Sequence, residues 1–71
     1  MDNNIAGLRA AAGLSQAALA ERVGVSRQTI ISIERGRFDP SLPLAFRLAR
    51  TFDRTIEDLF TFSESPDSDL T

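Results

Sequence analysis

The sequence predicts an all-α domain of five short helices. Apolar residues recur at intervals of three and four along most of the chain, which is the spacing of one buried helix face. A serine, threonine or asparagine, the residue types that cap helix N-termini, precedes each of these stretches. Three of the four glycines stand where one of the first three stretches ends, as expected for a left-handed residue after a helix.

The first two helices each have a capping residue and a terminating glycine. Asn3 or Asn4 can cap the first helix, and Gly13 can end it. Ser15 is the expected N-cap of the second helix, which stops at Gly24. Helical spacing predicts that the residues facing the core are Ile5, Leu8 and Ala12 in the first helix and Leu19, Ala20 and Val23 in the second.

The third helix begins only two residues after the second one ends. Ser26 caps it, and it extends from Arg27 to about Arg35. Ile30 and Ile33, at i and i+3, form its buried side, and Gly36 can adopt the left-handed conformation that follows it. Such a short connection predicts a steep crossing of the second and third helices, typical of a helix-turn-helix.

The fourth and fifth helices follow a loop at residues 37–41. Ser41 can cap the fourth helix, and Pro43 is tolerated in its first turn. Thr55 and Asp58 resemble a capping box at the start of the fifth helix. The expected inward residues are Leu42, Ala45, Leu48, Ala49 and Phe52 in the fourth helix and Ile56, Leu59 and Phe60 in the fifth.

Composition excludes several classes of functional site. The chain has no cysteine and no histidine, so disulfides, thiolate nucleophiles, imidazole bases and His or Cys zinc sites are ruled out. Lysine and tyrosine are absent too, and no phosphate-binding glycine loop is present, so we expect neither an enzyme nor a cofactor, metal or small-molecule ligand. No apolar run approaches the roughly 20 residues of a membrane span, which predicts a soluble cytoplasmic protein without membrane contact.

Charge is distributed unevenly along the chain, whose net charge is −2. Up to Phe62 there are eight arginines and seven acidic residues, and residues 63–71 add three more acids. A local basic face is therefore possible, as phosphate neutralisation on duplex DNA requires. Residues 63–71 are polar and contain Pro66, so we predict a folded domain at 1–62 and a disordered acidic tail. The tail can dock on a basic protein partner, maintain solubility or tune DNA affinity.

The outer side of the third helix is the candidate recognition surface. With Ile30 and Ile33 directed inward, the helical period directs four residues outward: Arg27, Gln28, Ile31 and Ser32. Arginine can pair with a guanine edge and glutamine with an adenine edge, so Arg27 and Gln28 are the expected base contacts. The alternatives are a phosphate contact for Arg27, or two ordinary solvated residues in a first helical turn.

The segment SQAALAERVGVSRQTIISIERG, residues 15–36, resembles the helix-turn-helix of the Cro/repressor-type (XRE) family. The similarity extends from about Ile5 to Phe60 and includes the D-P-S-L turn at 39–42 and the TIEDLF ending at 55–60. It implies a lambda-repressor-like DNA-binding domain of five helices, with helices 2 and 3 as the helix-turn-helix. Known members are usually dimers on inverted-repeat operators. The resemblance therefore implies a homodimeric transcriptional regulator of double-stranded DNA, with repression the expected mode.

Three further residues are assigned by their positions in the family pattern. Gln16 resembles the glutamine that contacts a phosphate and braces the first side chain of the recognition helix. Arg9 and Glu34 resemble the structural ion pair that ties the first helix to the end of the third. Removal of one partner of such a pair is expected to destabilise the fold more than removal of both.

The remaining candidate contacts have weaker sequence support. A thymine methyl would explain an isoleucine at position 31, where relatives commonly have a small polar residue; the alternative is an exposed aliphatic side chain without a role. Ser32 can reach a base or the backbone. Hydroxyl contacts to phosphate are possible at Ser26 and Thr29, although Ser26 is already explained as a cap. Phosphate contacts or simple solvation are the options for Arg35 and Arg37.

Apolar residues that the core cannot easily accommodate point to a dimer. We expect an interface formed by Leu44, Phe46, Phe60 and Phe62. The alternative is that these side chains fold back over a thin core. A protein-binding adaptor or antitoxin-like module with the same fold is the competing function, for which the acidic tail is the one positive indication.

Overall fold

The computed structural model describes residues 1–61, which form five helices and one pair of two-residue strands. The helices are α1 (Ile5–Ala11), α2 (Gln16–Val23), α3 (Arg27–Glu34), α4 (Leu42–Thr51) and α5 (Ile56–Leu59). The strands β1 (Asp2–Asn3) and β2 (Phe60–Thr61) are antiparallel, with Asn3 opposite Phe60. Within this part of the chain, no helix is long and apolar enough to cross a bilayer. Phe62 and the acidic tail lie outside the described residues.

The predicted five helices are confirmed, but the strand pair was not predicted. Phe60, which was expected in the fifth helix, lies in β2 because its backbone is extended. Two residues are too few to show the alternation of polar and apolar side chains that indicates a strand. The two strands are also at opposite ends of the described chain, so their pairing depends on how the helices pack. The pairing brings the segment before α1 alongside the segment after α5, where the backbone N–H of Asn4 donates to the carbonyl of Leu59 at 3.0 Å.

Helix starts agree closely with the capping residues predicted from the sequence. A hydroxyl oxygen accepts the backbone N–H three residues further on at each of Ser15, Ser26, Ser41 and Thr55. The first helix is different, because its N-cap residue Asn4 makes no side-chain capping bond. Asn3 Oδ1 instead accepts the N–H of Ile5 at 3.2 Å.

The capping box of α5 predicts a measurable dependence of stability on pH. Hydrogen bonds from the backbone N–H and then the side chain of Thr55 lower the pKa of the Asp58 carboxyl, with a smaller contribution from the charge of Arg54. A lowered pKa in the folded state means that the ionised carboxylate stabilises the fold above its ordinary pKa of about 3.9. That contribution is lost as the pH falls through the lowered pKa of the folded state.

We therefore expect Asp58→Asn to have a flatter loss of stability between about pH 4 and pH 2 than the wild type. Urea unfolding midpoints across this range measure the difference. Glu57→Gln, on the adjacent exposed residue outside the box, is the matched control and should retain the wild-type profile. An identical loss of stability at acid pH in Asp58→Asn and the wild type would refute this role for the carboxylate.

The hydrophobic core receives side chains from all five helices. Six large side chains are at most 1% exposed, namely Ile5, Leu19, Ile30, Ile33, Leu48 and Leu59. Leu44 of α4 and smaller residues of α2 and α4 complete it, and Leu8, Phe52 and Phe60 pack against its edge. The core thus fixes α3 through two isoleucines on one side of that helix.

The buried face of α4 differs from the predicted one. Leu42 was expected to face inward but is 63% exposed, whereas Leu44 was expected to remain at the surface and is 5% exposed. At 100° per residue, the buried stripe is centred on Leu48 and includes Leu44, which leaves Leu42 at its border. The predicted inward position of Ala12 is also wrong, because α1 ends at Ala11 and Ala12 is exposed.

Two glycines in the first two helices are expected to respond oppositely to alanine. Gly7 is inside α1, and a Cβ there would meet no atom within 4 Å, so Gly7→Ala should stabilise the fold by about 0.5–1 kcal/mol. Gly24 has φ +77° at the end of α2, so Gly24→Ala should destabilise it by about 1 kcal/mol. Urea unfolding of the two variants measures both effects, and a stabilising Gly24→Ala would contradict the argument.

Candidate nucleic-acid interface

The recognition surface is centred on the first turn of α3. Ile30 and Ile33 are 0% and 1% exposed, so one side of the helix is embedded in the core. Arg27 and Gln28 are both exposed, as their positions in the sequence predicted. Ile31, which was expected to be an exposed isoleucine, is half-buried. The freely accessible side chains of the helix are therefore concentrated at its N-terminal end.

Ser32 and Thr29 are also half-buried, at the borders of the buried isoleucine stripe. Ser26 Oγ accepts the backbone N–H of Thr29 at 3.1 Å and lies 2.9 Å from the Thr29 hydroxyl oxygen. This pair of contacts holds the first turn in a defined conformation. Each hydroxyl retains lone pairs, so its bond within the turn is compatible with a further polar contact.

An ion pair fixes the far end of α3. Arg9 Nε donates to Glu34 Oε2 at 2.7 Å, and its terminal nitrogens donate to Glu34 Oε1 at 3.3 Å and to the Leu14 carbonyl at 3.0 Å. The Arg9 and Glu34 side chains are only 19% and 8% exposed. The hydrogen bond to Glu34, followed by its charge, raises the pKa of the Arg9 guanidinium against the opposing effect of burial.

Gln16 joins this ion pair. Its Nε2 donates to Glu34 Oε1 at 3.1 Å, so the amide of the first residue of α2 is held by the last residue of α3. The expected brace of the first recognition-helix side chain is not observed, because the amide is directed to Glu34 and not to Arg27. Glu34 therefore connects α1, α2 and α3 at one point.

The chain leaves α3 through a left-handed turn that carries two exposed arginines. Gly36 has φ +73°, and its N–H donates to the Ile33 carbonyl at 2.9 Å. Arg35 and Arg37 are exposed on either side of it. The Asp39 carboxylate, two residues on from Arg37, lies 3.2 Å from the amino group of Met1. With Glu34 and Asp39 both engaged elsewhere, the charge around α3 is dominated by exposed arginines.

Two side chains that support the helix-turn-helix were missed from the sequence. Asn3 Nδ2 donates to the carbonyl of Ile33 at 2.8 Å, close to the end of α3. Arg47 Nε donates to the carbonyl of Val23 at 3.1 Å and so satisfies one of the free carbonyls at the end of α2. Asn3 had a local signal as a helix cap, but no sequence pattern reveals a bond across 24 or 30 residues.

An apolar face lies on α4 and α5. Phe46 is 53% exposed, and Leu42, four residues earlier on the same helix, is 63% exposed. Together with Ala45, Ala49, Ile56 and Phe60 of β2 they line two shallow grooves that meet at Ile56, and we call these six apolar residues the α4–α5 face. Charged side chains of Arg50, Arg54 and Glu57 also line the groove that contains Phe46. Of the predicted interface residues, Phe46 is exposed on this face and Phe60 is half-buried within it.

Leu44, the third predicted interface residue within the described part of the chain, belongs to the core and not to this face. Because Leu44 follows the exposed Leu42 by two residues, its side chain lies about 200° further around the helix axis. The expectation that Leu44 is left over at the surface is therefore wrong.

Comparison with known proteins identifies the family. The helix-turn-helix family model HTH_3 matches residues 5–59. An HTH-type transcriptional regulator of Methanocaldococcus jannaschii is 50% identical over 64 residues, which are 90% of this chain and 97% of that protein. The HTH-type transcriptional regulator YgzD of Bacillus subtilis is 45% identical over 64 residues, with the same shares of the two chains.

Solved structures show the same fold. The restriction-modification controller protein C.AhdI from Aeromonas hydrophila superposes with a TM-score of 0.72 at 38% identity, covering 79% of this chain and 85% of that one. The gene regulator ClgR from Corynebacterium glutamicum superposes with a TM-score of 0.70 at 28% identity, covering 76% and 57%. This chain therefore belongs to the XRE-type helix-turn-helix (HTH_3) family and is a transcriptional regulator with a helix-turn-helix DNA-binding fold.

Proposed function

We propose that this protein recognises a specific double-stranded DNA sequence through α3, as a dimer on an inverted repeat, and represses transcription from it. The observation that carries the proposal is the exposure of Arg27 and Gln28 on the capped first turn of α3. The rest of that helix is held by two buried isoleucines and the Arg9–Glu34 ion pair. A rigidly held helix with exposed polar side chains in its N-terminal turn fits the major groove, where that turn contacts base edges.

Each polar residue has a chemically suitable target on duplex DNA. Arg27 can donate two hydrogen bonds to guanine, and Gln28 can pair with the adenine edge. The half-buried Ile31 retains enough exposed surface to contact a thymine methyl. The residues assigned to the backbone, or in the case of Ser32 to either backbone or base, are Gln16, Ser26, Thr29, Ser32, Arg35 and Arg37.

The α4–α5 face supports the dimer. Two exposed apolar side chains four residues apart, Leu42 and Phe46, would leave water if the face packed against a second copy. A two-fold dimer can place two copies of α3 roughly 34 Å apart, one helical turn of DNA, and so double the number of bases read. Repression follows most directly, because a protein bound across a promoter blocks transcription by occupying it.

Selection of bound duplexes from a random library tests the function. The proposal predicts recovery of an inverted repeat whose half-sites are about one helical turn apart. Affinity for the recovered duplex should fall steeply with salt, since Arg–phosphate contacts release counterions. A promoter that contains the recovered repeat should lose activity in a reporter strain that expresses the protein. No enrichment of any sequence, even at low salt, would overturn the proposal.

The dimer has its own test in Phe46→Glu. A charge at this exposed position of the α4–α5 face should convert a dimer into a monomer in sedimentation equilibrium, because burial of an unpaired carboxylate is costly. Phe38→Glu is the matched control, since Phe38 is 46% exposed in the loop between α3 and α4 and lies outside this face. A wild type that remains monomeric both free and on the recovered repeat would refute the dimer.

A further inference from the structure

The segment before α1 is attached to two parts of the molecule that are far apart in sequence. Asn3 lies opposite Phe60 in the β1–β2 pair, and the N–H of Asn4 donates to the Leu59 carbonyl at 3.0 Å. From the same segment, Asn3 Nδ2 donates to the Ile33 carbonyl at 2.8 Å. The end of α3 is thus connected through one side chain to the strand that follows α5.

Both functional atoms of the Asn3 amide are occupied. Its Nδ2 donates to the Ile33 carbonyl and, at 3.3 Å, to the Met1 carbonyl, while Oδ1 accepts the N–H of Ile5. The side chain is half-buried, which limits competition from water. The Ile33 carbonyl also accepts the N–H of Gly36 in the turn that leads to Arg37. Asn3 therefore donates to the same carbonyl that accepts the Gly36 N–H in the turn after α3.

We propose that Asn3 is a positioning residue for DNA recognition. It sets the exit of α3, and hence the orientation of Arg35 and Arg37, relative to the β1–β2 pair. The Ile33, Asn3 and Phe60 contacts form a continuous path from the recognition helix to the α4–α5 face, because Phe60 belongs to both. This inference rests on the proposed function, since it assigns Asn3 a role in the same DNA-binding surface.

Asn3→Asp separates this role from helix capping. An aspartate retains the oxygen that accepts the Ile5 N–H, and its charge is favourable at the N-terminus of α1. It removes the N–H donor and places a carboxylate oxygen against the Ile33 carbonyl. A residue that only capped α1 would tolerate the substitution, whereas a positioning residue would not. Asn4→Asp is the matched control, because Asn4 is exposed and its side chain makes no capping bond.

The test combines DNA binding with amide exchange, using the duplex recovered by selection and an unrelated duplex as probes. Asn3→Asp should bind the recovered duplex more weakly than the wild type, by at most about tenfold. The limit is the energy of one hydrogen bond, because that bond is also present in the free protein and only the part of it that orients Arg35 and Arg37 contributes to binding. Because Arg35 and Arg37 are assigned to phosphates, Asn3→Asp should also weaken binding to the unrelated duplex, and both losses should exceed those of Asn4→Asp. In the free protein, the amides of Gly36 and Arg37 should exchange faster, while those of the α2 core residues do not.

Two outcomes would overturn the inference: wild-type affinity for the recovered duplex in Asn3→Asp, or an equal loss of affinity in Asn3→Asp and Asn4→Asp, which would show a charge effect alone. Failure of the proposed function is distinguishable, because the wild type itself would then show no preference for any duplex. In that case the exchange rates at Gly36 and Arg37 test only the structural part of the inference: faster exchange in Asn3→Asp alone shows that Asn3 holds the exit of α3, and unchanged exchange refutes it.

Discussion

Replacement of both Arg27 and Gln28 by alanine is expected to abolish the choice of DNA site while leaving the fold intact. Each bidentate contact to a base is worth about 1–3 kcal/mol of discrimination, so loss of two should reduce the preference for the recovered duplex at least about 30-fold. Both side chains are exposed, and the unfolding free energy should change by less than about 0.5 kcal/mol. Competition binding against an unrelated duplex and urea unfolding measure the two effects.

Arg22→Ala provides the matched control for this double variant. Arg22 is an exposed arginine of the same helix-turn-helix, located in the last turn of α2, so its removal takes away one positive charge without touching the first turn of α3. It should retain site preference. If the Arg27/Gln28 double variant keeps the wild-type preference, α3 is not the recognition element. A wild type that shows no preference between the duplexes would instead favour a function in protein binding, as in an adaptor or antitoxin-like module.

The largest effect on stability is expected from the Arg9–Glu34 pair. Removal of either partner leaves a largely buried charge without its counterion, and a loss of about 3 kcal/mol is expected for Glu34→Leu or Arg9→Met. A domain of this size has a total stability of only about 5 kcal/mol, so either single variant should retain only about 2 kcal/mol at room temperature. Glu34→Leu also removes the hydrogen-bond acceptor of the Gln16 amide, which donates to the same carboxylate.

The double variant Arg9→Met/Glu34→Leu should be more stable than the less stable of the two single variants. It removes both charges together and replaces them with apolar groups, which buried sites often tolerate well. Arg22→Met, at an exposed arginine, should change stability by no more than about 0.5 kcal/mol and controls for the substitution itself. A double variant no more stable than the worse single variant would show that the pair is not an isolated charge interaction.

Local chemistry explains why so much of the fold could be predicted. A capping hydroxyl, a left-handed glycine and an apolar stripe each depend on residues within four positions of one another. The caps at Ser15, Ser26, Ser41 and Thr55 and the left-handed glycines at 13, 24 and 36 are accordingly all present. The exposure of Arg27 and Gln28 followed from the same reasoning, because Ile30 and Ile33 define the opposite side of α3.

Features that depend on long-range packing could not be predicted in this way. The choice between Leu42 and Leu44 for the core was wrong because two overlapping apolar stripes exist on α4, and only the neighbouring helices decide between them. The strand pair and the bonds of Asn3 and Arg47 join residues that no local pattern relates. Gln16 was expected near Arg27, yet Glu34 is the partner that the crossing of α2 and α3 brings within reach.

The sequence by itself determined five helices, the capping residues of the last four and an exposed polar turn at the start of α3. The tertiary structure alone decided how that turn is held: by Glu34 between Arg9 and Gln16, and by Asn3 at the carbonyl of Ile33. The physical reason is the range of the interactions. Backbone capping and amphipathic spacing act within one or two helical turns, whereas hydrogen bonds between helices form only after burial of the core has fixed the helix crossings.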